Sequence, residues 1–205
     1  MSRWGFEDDE LDEVDAEAKR LEAEGEGETV ASILAGGGVG VFPTDTLYGL
    51  IGSALLPDTV ERIYELKRRR PNKPQIVLIS DITQLEQFGV ELSERLIALL
   101  GNYWPGAISI ILPVIDDQFE YISRGTDAIA FRFPDKADLL ELISQVGPLV
   151  APSANVEGLP PATTVEEAQK YFGTDIEFYV DGGELIGKPS TIIAFDGDEV
   201  VVVRE

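Results

Sequence analysis

From Thr29 to the C-terminus, short apolar runs alternate with segments whose apolar residues recur at helical spacing. The predicted strands are residues 39–42, 76–79, 108–112, 128–133, 149–151, 177–180, 191–194 and 200–203, and the predicted helices are residues 30–34, 58–68, 92–100, 137–146 and 164–172. This region contains neither an internal repeat nor a linker long enough to divide it. The alternation therefore predicts a single α/β domain over residues 29–205, with a twisted mixed sheet flanked by helices.

The first 28 residues differ sharply in composition from the rest. They hold twelve acidic and three basic residues, so they carry −9 of the chain's net charge of −22. Like charges repel one another and little apolar surface is available, so residues 1–28 are predicted to form a flexible acidic extension. It could serve as a solubilising segment or as an arm that binds a partner.

The chain has no cysteine and no histidine. This excludes a disulfide framework, a classical zinc site, a cysteine or histidine nucleophile and an imidazole base. Any chemistry must use carboxylates, hydroxyls, amines, guanidinium groups, backbone amides or a hard cation. No apolar run approaches the roughly 18 residues of a membrane span, and the acidic N-terminus is unlike a signal peptide. We therefore expect a cytoplasmic protein with no membrane partner.

One segment of this acidic chain is strongly basic. Lys67, Arg68, Arg69, Arg70 and Lys73 place five cations within seven residues. The negative end of a helix dipole accounts for one or two of them, whereas a triphosphate requires such a concentration of charge. The segment therefore predicts phosphate binding. A general nucleic-acid surface is not expected, because basic residues are sparse elsewhere.

Several turns at predicted strand ends are rich in small or hydroxyl-bearing residues, and α/β proteins place ligand sites in such loops. They are residues 43–50, 151–158 and 188–191. Ordinary turn chemistry would explain each of them taken alone. Neither a P-loop nor a complete dinucleotide fingerprint is present, since Val41 stands where the third glycine of the fingerprint would fall. A nucleotide would therefore have to bind by another arrangement.

Taken in order, these clusters resemble the motifs of the threonylcarbamoyl-AMP synthase family of the YrdC/TsaC type. The matching segments are Pro43–Leu50 (Pro-Thr-Asp-Thr-x-Tyr-Gly-Leu), Lys67–Arg69 (Lys-x-Arg), Trp104–Ser109 (Trp-Pro-Gly-x-x-Thr, with Ser for Thr), Arg132–Pro134 (Arg-x-Pro), Ser153–Asn155 and Ser190–Thr191. The likeness spans residues 29–205 and implies a YrdC-like fold.

The resemblance implies that L-threonine, bicarbonate and ATP react to give threonylcarbamoyladenylate and pyrophosphate. A partner transferase complex would then transfer the threonylcarbamoyl group to the adenosine next to the anticodon of tRNA. Carried over position by position, the catalytic residues would be Lys67 and Arg69, the first lying beside the phosphates. L-threonine would be bound by Thr46, Ala151 and Ser190, and ATP by Arg69, Lys73, Ser109, Ser153, Asn155, Pro161 and Arg204. Mg²⁺ would arrive with ATP, held mainly by phosphates and water, with no metal site of the protein's own.

Four positions depart from the family pattern. Arg70 replaces a proline, Leu78 and Lys136 stand where histidine is common, and Glu157 replaces a serine. Glu157 would repel a phosphate if it pointed into the site. Two other functions stay open: a non-catalytic RNA-binding or ribosome-associated module on the same fold, and a domain that forms carbamoyl adenylate. Direct tRNA binding is expected to be weak or absent, because the chain has one basic cluster.

Overall fold

A computed structural model describes residues 29–197 and 199–205. The predicted acidic extension, residues 1–28, lies outside the described residues. Within the described ranges, no helix has the length and apolar character needed to cross a bilayer.

Nine strands and six α-helices make up the described part of the chain. The strands are β1 Gly40–Pro43, β2 Tyr48–Ser53, β3 Ile76–Leu78, β4 Ile108–Pro113, β5 Ala128–Arg132, β6 Leu149–Val150, β7 Phe178–Tyr179, β8 Thr191–Asp196 and β9 Glu199–Arg204. The helices are α1 Val30–Ala35, α2 Pro57–Lys67, α3 Glu94–Leu100, α4 Glu120–Ser123, α5 Ala137–Val146 and α6 Val165–Phe172. Two short 3₁₀ helices cover Ile82–Phe88 and Asp117–Phe119.

All nine strands join one sheet in the order β7-β1-β2-β6-β3-β5-β4-β8-β9. The pairs β7/β1, β3/β5 and β4/β8 are parallel, and the other neighbours are antiparallel. The predicted mixed sheet is therefore confirmed.

Two apolar clusters lie on opposite faces of this sheet, because successive side chains of a strand point in opposite directions. Leu50 of β2 belongs to the larger cluster, and its neighbour Ile51 belongs to the smaller one. Helices α1 and α5 cover the smaller cluster with Leu34 and Leu139, among others, whereas α2 and α6 contribute to the larger one. The sheet thus lies between two layers of helices, and all six residues of β2 are buried.

Local sequence signals explain several element ends. Thr29 and Thr164, which precede helices in the sequence, accept hydrogen bonds at the starts of α1 and α6, from Ser32 N at 3.1 Å and Glu167 N at 3.4 Å. Trp104 packs into the core, where its ring is buried and its Nε1 donates to the Ile108 carbonyl at 2.8 Å.

The interpretation of residues 43–50 as a polar strand exit was incomplete. Only residues 44–47 form the turn, and Tyr48 begins β2, which pairs with β1 as a hairpin. Because β2 is buried on both faces, it lacks the alternation of polar and apolar residues that marks a half-buried strand. The helical turns at 82–88 and 117–123 were also not predicted.

Candidate functional site

A cavity opens where the ends of several strands meet. It contains about 730 Å³ of empty space, counting the open solvent at its mouth. Its wall is formed by Thr44, Thr46–Gly49, Arg69, Lys73, Gln75, Ile76, Leu78, Arg132, Ala151–Ser153, Pro189, Ser190 and Arg204. Segments far apart in the sequence therefore converge on one concave surface.

Seven of the eleven predicted site residues line this cavity. They are Thr46, Arg69, Lys73, Ala151, Ser153, Ser190 and Arg204. The other four, Lys67, Ser109, Asn155 and Pro161, are not part of the wall. Ligand contacts of all eleven stay predictions.

Among residues 29–197 and 199–205, those that line the cavity include three arginines, one lysine and no carboxylate: the cations are Arg69, Lys73, Arg132 and Arg204. In a chain with net charge −22, this concentrates positive charge at one place. Five residues of the wall bear hydroxyls, namely Thr44, Thr46, Tyr48, Ser153 and Ser190. Such a wall is suited to an anionic ligand with further polar groups.

A buried ion pair fixes the turn that carries Thr46. The side chains of Arg132 and Asp45 are 6% and 10% exposed, and Arg132 Nη2 donates to Asp45 Oδ1. Arg132 Nη1 donates to Thr46 Oγ1 at 3.0 Å. Burial lowers the pKa of Arg132, and the charge of Asp45 opposes that shift. Arg132 was not among the predicted site residues, although it lies in the Arg-x-Pro segment that resembles a family motif.

Lys67 lies behind the wall and holds one of its loops. Its Nζ donates to the carbonyl of Ser153 at 2.5 Å and to the carbonyl and Oδ1 of Asn155 at 2.7 and 3.3 Å. Burial, followed by the charges of Arg69 and Lys73, lowers the pKa of Lys67 to about 7. The family resemblance implies a position beside the phosphates, and in the structure the Lys67 ammonium contacts the protein's own oxygen atoms.

Asn155 has a similar supporting position. Its Oδ1 accepts from Ser153 Oγ at 2.6 Å, and its Nδ2 donates to the Leu159 carbonyl at 2.7 Å. These bonds orient the Ser153 hydroxyl at the cavity. Pro161 lies beyond this loop, where the next residue, Ala162, donates its N–H to the Ala154 carbonyl at 3.0 Å.

The basic segment turns back on itself at the cavity. Arg69 Nη2 donates to the Pro74 carbonyl at 2.9 Å, and Lys73 Nζ lies 3.5 Å from Glu157 Oε1. Glu157 also accepts the Arg70 N–H at 2.7 Å, which contributes most to lowering its pKa. The two departures Arg70 and Glu157 therefore contact each other, and Glu157 is not among the residues of the wall.

Ser190 is supported by two neighbouring residues. Its hydroxyl lies 2.8 Å from Ser109 Oγ, and both serines are buried. Its carbonyl accepts from Arg204 Nη2 at 2.8 Å. Ser109 therefore orients Ser190 from behind. Leu78, at a position where histidine is common in the family that the chain resembles, supplies an apolar part of the wall.

The donor set does not fit a metal ion held by the protein. Among residues 29–197 and 199–205, no group of three or more aspartate or glutamate side chains could hold a cation. The cationic wall would repel a free cation.

A family model named Sua5/YciO/YrdC, with the description "Telomere recombination", matches residues 32–205. The chain belongs to this family. Among Sua5/YciO/YrdC proteins, the threonylcarbamoyl-AMP synthase of Bacillus subtilis is 38% identical over 177 residues, 85% of this chain and 51% of that protein. The threonylcarbamoyl-AMP synthase of Pyrococcus abyssi is 37% identical over 165 residues, 80% of this chain and 48% of that protein.

Solved structures of the Sua5/YciO/YrdC family share this fold. The crystal structure of Pyrococcus abyssi Sua5 in complex with L-threonine has a TM-score of 0.76 and 36% sequence identity, covering 85% of this chain and 52% of that one. The chain thus spans about half the length of the curated relatives described above.

Proposed function

We propose that this chain forms L-threonylcarbamoyladenylate from L-threonine, bicarbonate and ATP, with release of pyrophosphate. The observation that carries the proposal is the cavity on which four cations and several hydroxyl side chains converge, with no carboxylate among the described residues that line it. The names of the related synthases, and the L-threonine bound to a Sua5 protein that shares this fold, support the same activity.

L-threonine is assigned to the part of the cavity around Thr46, Arg132 and Ser190. A buried guanidinium is a strong partner for the carboxylate of an amino acid, and the Nε of Arg132 has no protein partner. The hydroxyls of Thr46 and Ser190 offer hydrogen bonds to the polar groups of threonine. Leu78 and Ala151 border the same space and suit its methyl group.

ATP is assigned to the part of the cavity around Arg69, Lys73, Ser153 and Arg204. In the reaction, the amino group of threonine first combines with bicarbonate to give a carbamate and water. A carbamate oxygen then attacks the α-phosphorus, and the bond from that phosphorus to the bridging oxygen breaks as pyrophosphate leaves. Negative charge grows on the phosphate oxygens, which the fixed cations stabilise.

Little proton transfer is required of the protein, which suits a site without histidine. The main contribution of the cavity is to hold the carbamate and the α-phosphorus together. Mg²⁺ carried on ATP would neutralise phosphate charge, with ATP and water as its main ligands.

The threonylcarbamoyladenylate formed in this reaction is an activated acyl donor, so a transferase is expected to consume it. We assign that step to a partner complex that acts on the adenosine next to the tRNA anticodon, in the cytoplasm. The positive charge is concentrated in one cavity, which favours binding of a small anion over binding of an extended RNA. Nothing in the cavity favours a carbamoyl-adenylate domain.

The test is pyrophosphate release by the full chain, with L-threonine and bicarbonate omitted in turn. Release that requires ATP and both of the other substrates is expected. Salt-sensitive RNA binding without release would support the RNA-binding alternative. Release that is indifferent to threonine would contradict the proposal.

A further inference from the structure

The side-chain amide of Gln75 is buried without a hydrogen-bond partner on the wall of the cavity. Gln75 is 1% exposed, and neither its Nε2 nor its Oε1 has a partner. In the described part of the chain, only three residues have such orphaned side-chain atoms, and two of them, Gln75 and Arg132, border this cavity. Unpaired buried polar groups are rare because they forfeit hydrogen bonds to water, so each requires an explanation.

The backbone around Gln75 is held on both sides, which fixes the point from which its side chain extends. The Lys73 carbonyl accepts from Tyr64 Oη at 2.6 Å, and the Pro74 carbonyl accepts from Arg69 Nη2 at 2.9 Å. On the other side, the Ile76 carbonyl accepts the Ala151 N–H at 3.1 Å. The cost of the unpaired amide is therefore built into the unliganded fold.

The described residues of the wall offer only neutral acceptors. Their cationic side chains donate hydrogen bonds, and no carboxylate is among them. A ligand with N–H groups therefore finds hydroxyl and amide oxygen atoms on this wall but no charged acceptor, and Gln75 Oε1 is an oxygen without a hydrogen-bond partner. The amide combines this acceptor with a donor, which matches a ligand that presents an N–H beside an oxygen or a ring nitrogen.

We propose that Gln75 is a ligand-binding residue of this cavity, whose amide pairs with an N–H donor and a neighbouring acceptor of the substrate. Two substrates offer this chemistry: the ammonium and carboxylate of L-threonine, and the amino-purine edge of ATP. The inference rests on the proposed function for the identity of these ligands.

The variant Gln75→Met tests this, because methionine keeps the unbranched length and removes both polar atoms. Removal of an unsatisfied group stabilises the free protein, so its Tm should rise by at least about 2 °C. Binding of L-threonine or of MgATP, measured separately by calorimetry, should weaken by about fivefold or more. The substrate whose affinity decreases is the one that pairs with Gln75.

Gln84→Met is the matched control, because Gln84 Oε1 accepts the Ser80 N–H at 2.8 Å and the residue is not part of the wall. It should lower Tm and leave both affinities unchanged. A second variant, Gln75→Glu, keeps the acceptor oxygen and the shape of the side chain but removes the Nε2 donor. It should also weaken the binding of the ligand that pairs with Nε2.

An unchanged or lower Tm for Gln75→Met, with wild-type affinity for both ligands, would overturn the inference and point to a hidden water or a purely structural amide. A higher Tm with both affinities unchanged would also overturn it. If the wild-type chain binds neither ligand, the proposed function fails together with the inference. If the wild-type chain binds its ligands and Gln75→Met binds them equally well, only the inference about Gln75 fails.

Discussion

The ion pair between Asp45 and Arg132 should be essential for the stability of the site. The variant Asp45→Asn keeps the shape of the side chain and removes its charge, so the guanidinium stays buried without its counter-charge. Breaking a buried pair from one side costs about 3–5 kcal/mol. Both side chains are at most 10% exposed, so the full effect applies, although asparagine retains one acceptor. We expect a loss near the lower end, about 3 kcal/mol.

The assay is unfolding in urea, together with Tm. For a domain of this size, 3 kcal/mol corresponds to a decrease in Tm of about 6–12 °C. Glu61→Gln is the control, since Glu61 pairs with Arg124 at 2.7 Å but is 50% exposed. That pair should contribute less than about 1 kcal/mol. Equal losses for the two variants would refute the argument that burial makes the Asp45 pair important.

Three further predictions concern Lys67, Gly187 and the acidic extension. The pKa of Lys67 is lowered to about 7 in the folded chain, so between about pH 7 and 10 this lysine is protonated in the unfolded chain but not in the folded chain. The free energy of unfolding should therefore increase as the pH rises through this range. Lys67→Met should flatten this rise between pH 7 and 9 in urea unfolding, whereas Lys170→Met should not. A Cβ added at Gly187 would overlap the Thr46 carbonyl oxygen and lie 2.9 Å from its carbon, so Gly187→Ala should weaken L-threonine binding about tenfold in calorimetry. Removal of residues 1–28 should leave pyrophosphate release unchanged.

Each of these predictions has a clear contrary result. A Lys67→Met stability curve parallel to that of the wild type would show that the lysine keeps its ordinary proton affinity in the fold. Unchanged threonine affinity in Gly187→Ala would place threonine away from Thr46. Loss of pyrophosphate release in the shortened chain would show that the extension has a role in the reaction.

The strand and helix pattern was readable because most elements are apolar runs or helically spaced apolar residues between clear turn signals. The strand β2 was missed because two glycines and a serine interrupt its apolar residues and a polar turn precedes it. The mixed order of the sheet depends on contacts between distant segments, such as Val77 with both Phe131 and Val150, which no local pattern encodes.

The candidate site was predictable in its composition but less so in its geometry. Lys67 belongs to a basic run, which suggested contact with phosphate. It also shares a helix face with the buried Val60 and Ile63, and that periodicity directs its side chain inward. The unpaired state of Gln75 could not be inferred from sequence, because it depends on which donors and acceptors the fold brings within reach.

The most direct test of the anion-binding cavity compares Arg69→Ala with Arg68→Ala. The two variants remove the same charge from neighbouring positions, but only Arg69 lines the cavity, and Arg68 is exposed. Losing a charged hydrogen bond to a phosphate costs about 1.5–3 kcal/mol. Threonine-dependent pyrophosphate release should therefore fall at least about tenfold in Arg69→Ala and less than about twofold in Arg68→Ala. Equal rates in the two variants would contradict the assignment of this cavity to ATP.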